Sequence, residues 1–475
     1  MASAVIAGLL LCLALGLMAL HWWRWRRYRA YFPVKAKPAV RFPNSLGEIV
    51  AVPCDEEGIS FPAFENPGGT VFMELSLRAT VLGWIFDPAI EISYKDFTDR
   101  QVFERGLRGT RFINLTRLSR MGIAAGERVR LRRINLTWDI GYSRIHHSAE
   151  CLQENDRVLV LAPHPDDAEI AAFGLYADCQ SMIVTVTAGS AAADALTEST
   201  GLDEGAACIS CARALESIWV PQLGGVPPER ARNLGYPDSK LHALWQKRMS
   251  DAAADGTAEF LRPPSENTRM PGAPRHDRSW KSLVEDLVQL IEVARPTVVA
   301  TPHPWFDCHP DHVMTTTAIC EALQRTDLRD GRFYFYANHP RWTELWPLGP
   351  AGAGVPMLPC DADDLLECDS VYSQALDTRR QKEKLVALRA MSGLQEGRGP
   401  EPAPWGVRAK IIKQQLSALI AGLGSPPTSY FRRALRPDEV FLVASFARGF
   451  SLVERSLERL EKSAGYGRDV VKPSN

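Results

Sequence analysis

Two short clusters of histidine and aspartate, each placed directly after a strand-like run, most constrain how this chain can fold. Residues 164–167 are His-Pro-Asp-Asp and follow the apolar run Arg157–Ala162, and residues 309–312 are His-Pro-Asp-His and follow Thr297–Thr301. Runs that are apolar throughout are typical of strands buried on both faces of a parallel sheet. Because open α/β sheets bind ligands beyond the carboxyl ends of their strands, both clusters are predicted to lie at one active-site crevice.

The residue types of the two clusters suit a metal-dependent hydrolase. Imidazole nitrogens and a carboxylate oxygen are ligands of zinc-like ions, and two histidines plus one carboxylate leave a position open for water. A base must still take the proton of that water, and a carboxylate that is not a ligand fits this task. Since Asp166 and Asp167 are adjacent on a loop, one can ligate while the other acts on the water. His309 and Asp311 remain to stabilise and orient.

These clusters resemble the signature of the PIG-L/LmbE-like family of zinc-dependent N-acetylglucosaminyl deacetylases, over roughly residues 155–400. The resemblance implies a Rossmann-like parallel-sheet domain that hydrolyses an acetamido group. It also implies the ligand set His164, Asp167 and His312. The metal would be Zn²⁺ or another divalent ion such as Fe²⁺, and Asp166 would be the general base.

The same resemblance extends to further residues of the site. His309, with Asp311 beside it, would stabilise the tetrahedral oxyanion or protonate the leaving amine. Three other residues are predicted to bind substrate or support the site: Arg213, Asp238 and Glu169. Arg213 opens an RxxE helix turn with Glu216, and Asp238 ends the segment Leu-Gly-Tyr-Pro-Asp (234–238).

The chain departs from the family pattern in two places. Many members have glutamate directly after the second aspartate, whereas this chain has Ala168 and places Glu169 one position later. The segment Lys384–Gln395 resembles a family motif that ends in Ser-Gln, but here Gly393 and Leu394 separate the two residues.

Three other interpretations of these residues stay open. His303 and Asp307 lie close to the second cluster and compete with it as metal ligands. Two histidines and one carboxylate also describe the facial triad of a non-haem iron oxygenase, although that chemistry usually lies inside an antiparallel jelly roll. The third is a non-catalytic, membrane-anchored glycan-binding scaffold, in which the loss of Asp166 would be expected.

The start of the chain predicts a membrane anchor. Residues 1–20 contain no charged side chain, and about 20 helical residues span a hydrocarbon core of about 30 Å. The basic segment 23–44 mixes arginines and lysines with tryptophan and tyrosine, which is typical of a cytoplasmic membrane interface and of binding to lipid headgroups. We therefore predict a single-pass protein of a bacterial inner membrane with its catalytic part in the cytoplasm. A cleaved signal peptide is the lesser alternative, because no basic region precedes the apolar run.

The remaining chain is predicted to form two domains and a tail. After the anchor (1–22) and the basic segment (23–44), alternating strand-like stretches predict a β-sandwich over residues 45–150. Alternating strands and helices predict the α/β deacetylase domain over 151–464, closed by helices from 377 to 462, and residues 465–475 are predicted to be a disordered tail. The net charge of −1 argues against a nucleic-acid partner. The sequence does not predict an oligomeric state.

Together these features predict a membrane-anchored de-N-acetylase. Its substrate would be an N-acetylhexosamine on a membrane-attached glycan, that is, a glycolipid, a lipid-linked precursor or a lipopolysaccharide core, and it would release acetate. An anchor raises the effective concentration of the enzyme beside a substrate held in the same membrane.

Overall fold

The structure is a computed structural model. It describes residues 47–149 without 66–67, 152–189, 203–248, 279–358 without 342, 368–394 and 430–464, together with scattered positions from 6 to 22. The predicted basic segment and the predicted tail lie outside the described residues. The scattered positions of the predicted anchor are helical and exposed. Within the described part of the chain, no helix is both long enough and apolar enough to cross a membrane.

Nine of the described strands form one antiparallel sheet in the amino-terminal part. They are β1 (Glu48–Cys54), β2 (Gly58–Ser60), β3 (Thr70–Ala79), β4 (Ala89–Tyr94), β5 (Phe97–Val102), β6 (Arg108–Asn114), β7 (Arg128–Ile134), β8 (Leu136–Trp138) and β9 (Gly141–Ser148). The strand order is β5-β4-β7-β2-β1-β9-β3-β6, and β8 pairs with β3. A single α-helical turn, α1 (Thr116–Arg120), follows β6.

The predicted antiparallel β structure is confirmed, whereas the two separate sheets of a sandwich are not seen. The halves β5-β4-β7 and β9-β3-β6 are joined through β2 and β1, which pair at Cys54 and Ile59. Alternate side chains of both halves, including Ile90, Ile113 and Val129, enclose one core. The sheet therefore encloses this core while its strands remain joined by hydrogen bonds.

Seven further strands form a mixed sheet. They are β10 (Arg157–Ala162), β11 (Gln180–Thr187), β12 (Ala231–Tyr236), β13 (Val298–Pro302), β14 (Arg332–Tyr336), β15 (Ser370–Ala375) and β16 (Asp438–Ser445). Their order is β12-β11-β10-β13-β14-β16-β15. The first five are parallel, as predicted, and β16 runs antiparallel to both β14 and β15.

The helices of this part cover the mixed sheet. They are α2 (Asp167–Ala171), α3 (Phe173–Ala177), α4 (Asp203–Trp219), α5 (Leu241–Gln246), α6 (Trp280–Ala294), α7 (Pro310–Arg325), α8 (Thr378–Ala390), α9 (Tyr430–Ala434) and α10 (Phe446–Ala464). The prediction of helices alone from 377 to 462 is wrong, because β16 lies within that range. Its run Val440–Val443 is aromatic and branched, which favours a buried strand.

Four parallel strands of this sheet end at the same edge, and polar residues follow each of them. His164 follows β10, Asp238 follows β12, Asp307 follows β13 and Asn338 follows β14. The strand order reverses at β10, which lies between β11 and β13. This is the position at which open α/β sheets form a binding crevice.

The two sheets also pack against each other. Ser373 of β15 donates its backbone N–H to Thr70 Oγ1 at 2.9 Å, and its hydroxyl accepts from Asn114 Nδ2 at 2.9 Å. Phe72 and Phe112 of the antiparallel sheet belong to the apolar core of the α/β part. The amino-terminal sheet therefore shares both polar and apolar contacts with the region that carries the site.

Candidate metal centre

The first cluster forms a strained turn that a buried arginine holds in place. Asp166 has a φ of 115°, outside the regions that non-glycine residues favour, and such a backbone costs on the order of 1–3 kcal/mol. Arg213 donates to the carbonyl of Gly189 at 2.9 Å, to the carbonyl of Pro165 at 3.1 Å and to Asp166 Oδ2 at 3.2 Å. Arg213 therefore fixes both the turn and the carboxyl group of Asp166.

The second cluster begins helix α7. His309 caps this helix, because its Nδ1 accepts the backbone N–H of Asp311 at 3.3 Å. The carboxylate of Asp311 accepts backbone N–H groups from Ser239 at 2.6 Å and Leu241 at 3.2 Å. Asp311 thus ties the start of α7 to the segment that follows Asp238, and it is fully buried.

Three acceptor atoms from the two clusters form a nearly equilateral triangle. His164 Nδ1 lies 3.3 Å from Asp167 Oδ2 and 3.2 Å from His312 Nε2, and His312 Nε2 lies 3.2 Å from Asp167 Oδ2. A tetrahedral ion with bonds of about 2.0–2.1 Å separates its ligand atoms by about 3.3–3.4 Å. The chemistry and the spacing of this triangle therefore fit a zinc-like divalent metal.

The outer nitrogens of both imidazoles face carboxylates, which fixes where the ring hydrogens lie. His164 Nε2 is 3.2 Å from Asp238 Oδ1 and 3.3 Å from Asp311 Oδ2. His312 Nδ1 is 2.9 Å from Asp307 Oδ2. Since these carboxylates accept hydrogen bonds, the outer nitrogens carry the hydrogens whenever the rings are neutral, and the lone pairs then point into the triangle. Carboxylates behind ligating histidines orient the rings in the same way in metal sites.

Asn338 and Asp307 support the triangle, and sequence reasoning did not assign them this place. Asn338 Nδ2 donates to Asp167 Oδ1 at 2.8 Å, which leaves Oδ2 facing the two imidazoles. Asp307 Oδ2 accepts the backbone N–H groups of Asn338 at 2.8 Å and His339 at 3.1 Å. Both residues follow strands that end at the site edge, and this is the signal that could have identified them.

His303 and Asp307 are the alternative candidates for metal ligands, and the structure places them differently. Asp307 lies behind His312. His303 Nδ1 accepts the backbone N–H groups of Trp305 and Phe306, each at 3.1 Å, so this ring organises its own loop. Burial lowers the pKa of His303 to about 3, so the ring is neutral.

The pKa values of His164 and His312 are raised because the carboxylates around the triangle stabilise positive charge. Burial lowers the pKa of His312, but the carboxylates of Asp167 and Asp307 outweigh it and raise the pKa to about 9. Burial likewise opposes the charge on His164, whereas hydrogen bonds with its three neighbouring carboxylates raise its pKa well above the usual value. This pocket therefore favours a cation.

Asp166 and His309 have pKa values that suit proton handling beside such a pocket. Burial raises the pKa of Asp166 to about 7, with the charge of Arg213 opposing and that of Asp167 adding to the rise. Burial lowers the pKa of His309 to about 4, and the neighbouring imidazoles add to this effect. His309 is therefore neutral near pH 7, and its capping contact leaves the ring hydrogen on Nε2.

The other predicted residues support the surroundings of the site. Glu169 is buried, accepts a hydrogen bond from Tyr176 at 3.2 Å and has its pKa raised to about 8 by burial. Glu216 accepts from the backbone N–H and the hydroxyl of Ser392, both at 2.9 Å. Lys384 is fully buried and pairs with Glu439 at 2.8 Å. Gln395 lies outside the described residues.

Comparison with known proteins supports the family resemblance. The profile of the PIG-L family, described as GlcNAc-PI de-N-acetylase, matches residues 159–323, which include both clusters and the segment 234–238. The match is shorter than the expected range of 155–400, so the segment around Lys384 lies outside it. A search of curated protein sequences found no match.

Solved structures show only distant likeness. The zinc-inhibited form of teicoplanin deacetylase Orf2 is 19% identical, with 61% of this chain and 98% of that chain covered and a TM-score of 0.33. The A40926 pseudoaglycone deacetylase Dbv21 is 19% identical, with 61% and 97% covered and a TM-score of 0.32. GalB, the 4-carboxy-2-hydroxymuconate hydratase of Pseudomonas putida KT2440, is 13% identical, with 61% and 95% covered and a TM-score of 0.31.

The family assignment accordingly rests on the profile match. It covers most of the strand β10, most of the helix α7 and the clusters that follow or begin them. Residues 159–323 of this chain match the PIG-L family.

Proposed function

We propose that the chain is a divalent-metal-dependent N-deacetylase. It would remove the acetyl group of an N-acetylhexosamine on a membrane-attached glycan and release acetate. The observation that carries this proposal is the triangle of His164 Nδ1, Asp167 Oδ2 and His312 Nε2, with Asp166 beside it. The description of the matched family, a de-N-acetylase of GlcNAc-PI, supports an acetylated amino sugar as the substrate class.

His164, Asp167 and His312 would hold the metal, and Zn²⁺ is the proposed ion, with Fe²⁺ as an alternative. When bound, such an ion lowers the pKa of water and polarises a carbonyl oxygen. Asp238, Asp311 and Asp307 keep the imidazole lone pairs directed at the metal position through the contacts described above.

Asp166 is the proposed general base. Its pKa of about 7 lets the carboxyl group accept a proton from the attacking water and later return that proton to the departing amine. The contact with Arg213 keeps the carboxyl group in one orientation during both transfers. One residue therefore handles the proton at both stages of amide hydrolysis.

His309 is the proposed oxyanion stabiliser. Because its Nδ1 accepts the backbone N–H of Asp311, the neutral ring presents an Nε2–H donor. Because burial lowers the pKa of His309 to about 4, the ring is neutral at pH 7 and is a poor general acid, but its remaining N–H can donate a hydrogen bond to developing negative charge. Of the two roles left open by the sequence, oxyanion stabilisation is therefore the one we propose.

Membrane attachment of the substrate is proposed from the start of the chain. It is supported by the uncharged residues 1–20 and by the basic segment that follows them. We propose a single-pass protein with the catalytic part in the cytoplasm, acting on a glycolipid, a lipid-linked precursor or a lipopolysaccharide core. The basic segment would contact anionic headgroups of the same membrane.

Acetate release tests the proposed activity. Detergent-solubilised full-length protein would be incubated with a panel of N-acetylhexosamine glycolipids, with and without a chelator. Asp166→Ala would be compared with Asp330→Ala, which changes an exposed aspartate of the same part of the chain. We expect release by wild type and the control, and loss of release with chelator or Asp166→Ala.

Two results would contradict the proposal. Stoichiometric metal binding with no release from any acceptor would favour the non-catalytic scaffold. Oxygen consumption by the iron-loaded protein would favour an oxygenase instead.

A further inference from the structure

The loop between β3 and β4 exposes an unusual run of apolar side chains. Five of its residues present 37–81% of their surface to solvent: Val81, Leu82, Trp84, Ile85 and Phe86. Single exposed apolar residues are ordinary, but contiguous apolar patches on a protein surface mark interaction sites. We call residues 81–86 the apolar loop.

Several backbone groups of the apolar loop are paired by hydrogen bonds. Residues 82–84 form a 3₁₀ turn, and the N–H groups of residues 83–86 donate to the carbonyls of residues 80–82 at 2.7–3.2 Å. The carbonyl of Gly83 accepts from Gly106 at 2.9 Å. Backbone groups that are already paired can leave water without the cost of unpaired donors.

The apolar loop is also held firmly on its sheet. A Cβ at Gly83 would lie 2.2 Å from the carbonyl oxygen of Asn135, so the loop is pressed against the turn between β7 and β8. A Cβ at Gly106 would lie 2.7 Å from the Trp84 ring, so this ring packs flat on a glycine. The apolar side chains are therefore presented by a fixed surface.

Basic side chains flank the apolar loop. Arg78 and Arg108 pair in register at the ends of β3 and β6 nearest to the loop, and both are exposed. Arg105 pairs with Asp87 at 2.7 Å on the other flank. An apolar tip with arginines around it suits a bilayer interface that contains anionic lipids.

Contacts connect this end of the antiparallel sheet to the surroundings of the candidate site. Ala89 and Val102 pack with Leu345 and Leu348 of the α/β part. Asp87 lies close enough for its charge to act on Arg432 of α9. In the same helix, the ring of Tyr430 lies 5.9 Å from His339, and His339 lies 5.0 Å from His312. The apolar loop thus lies on the side of the molecule where α9 borders the site.

We propose that the apolar loop inserts into the interfacial layer of a lipid bilayer, so that the membrane becomes its partner. The inference rests on the proposed membrane attachment, and it adds a second contact that would orient the site toward the bilayer. The uncharged residues 1–20 supply the argument for lipid as the occupant.

Quenching of tryptophan fluorescence by lipids with brominated acyl chains tests this proposal. Full-length protein would be reconstituted into vesicles of phosphatidylcholine with phosphatidylglycerol, with and without bromine. The contribution of Trp84 is obtained by comparing wild type with Trp84→Phe. Trp219→Phe is the matched control, because Trp219 is 61% exposed on the α/β part and Trp84 is 56% exposed. We expect the Trp84 contribution to fall several-fold in brominated vesicles and the Trp219 contribution to stay unchanged.

A second variant tests the rest of the loop. Leu82→Asn with Phe86→Asn is expected to remove most of the quenching of Trp84, whereas Val293→Asn, which changes a valine 73% exposed on α6, leaves it intact. Equal quenching of Trp84 and Trp219, or quenching that survives the double variant, would overturn the proposal. Concentration-dependent dimers that form in detergent and are lost in the double variant would assign the loop to a second copy and would also overturn it. None of these readouts depends on acetate release, so failure of the proposed activity is distinguishable.

Discussion

The two nitrogens of the His164 ring face two groups of side chains of types that bind metals. Comparison of the two groups shows how a metal ligand differs from a residue that only orients a ligand. On the Nδ1 side lie Asp167 and His312, and on the Nε2 side lie Asp238 and Asp311, all at 3.2–3.3 Å from the ring nitrogen. Both sides therefore offer residue types that bind divalent metals.

The two sides differ in whether their polar atoms already have hydrogen-bond partners. On the Nε2 side, two carboxylates face a ring N–H, and Asp311 also accepts two backbone N–H groups. On the Nδ1 side, two nitrogen lone pairs converge on Asp167 Oδ2, which accepts the backbone N–H of His164 at 2.9 Å. Lone pairs that face one another require a cation. Residue type alone does not locate a metal, because it also matters which nitrogen of the neutral ring carries the hydrogen.

Replacement of the proposed base should have the largest effect. Asp166→Asn keeps the shape of the side chain and the contact with Arg213 but removes the proton acceptor, so acetate release should fall about 10³-fold. Metal content, measured on the same preparation, should stay unchanged. A parallel loss of metal would instead show that Asp166 is a metal ligand, which would contradict its assignment as the base.

Removal of single supporting carboxylates should separate the two imidazoles. Among the described residues, one carboxylate, that of Asp307, faces His312 Nδ1, whereas Asp238 and Asp311 share His164 Nε2. Asp307→Asn should therefore weaken zinc affinity about 10–100-fold, and Asp238→Asn should weaken it less. Competition with a zinc-binding dye measures both affinities. A larger loss of zinc affinity in Asp238→Asn than in Asp307→Asn would show that the carboxylates on the Nε2 side of His164 contribute more to metal binding.

Protons should compete with zinc for the imidazole nitrogens on the Nδ1 side of His164. Burial opposes protonation of His312, but Asp167 and Asp307 raise its pKa to about 9, so metal must displace a proton at neutral pH. Zinc affinity should therefore rise with pH, by about tenfold per unit for each displaced proton, between pH 6 and the pKa of about 9. Calorimetry in buffers of different ionisation enthalpy counts the released protons. A value of zero would contradict the assignment.

A second pair of carboxylates shares one cation at the contact between the sheets, and its effect on activity should be smallest. Arg117 lies 2.5 Å from Asp99 and 3.3 Å from Asp438. Burial raises the pKa of Asp438 to about 6, with Arg117 opposing and Asp99 adding to the rise. The folded state therefore holds a proton that the unfolded state has lost, and the free energy of unfolding should fall as pH rises from about 4 to about 6.

Asp438→Asn should flatten this part of the pH profile and leave acetate release unchanged. Urea unfolding across the pH range measures the effect, with the exposed Asp377→Asn as the control. An unchanged slope in Asp438→Asn would show that the proton belongs to another group.

The sequence predicted those parts of the fold and the site that depend on short stretches. The apolar runs before residues 164 and 309 identified strands, and parallel strands bring their carboxyl ends together at one edge. The antiparallel strand β16 was missed because it lies between two helices and pairs with strands far along the chain. The individual side-chain contacts of the site could not be predicted, because they join residues far apart in the chain: His164 and Asp311 are 147 residues apart, and Asn338 and Asp167 are 171 apart.

Anomalous diffraction from zinc-soaked crystals tests the central claim most directly, because it locates the ion relative to the His164 ring. We expect one peak at about 2 Å from His164 Nδ1, Asp167 Oδ2 and His312 Nε2. A peak beside His164 Nε2, between Asp238 and Asp311, or the absence of any peak at either side of the ring, would contradict it.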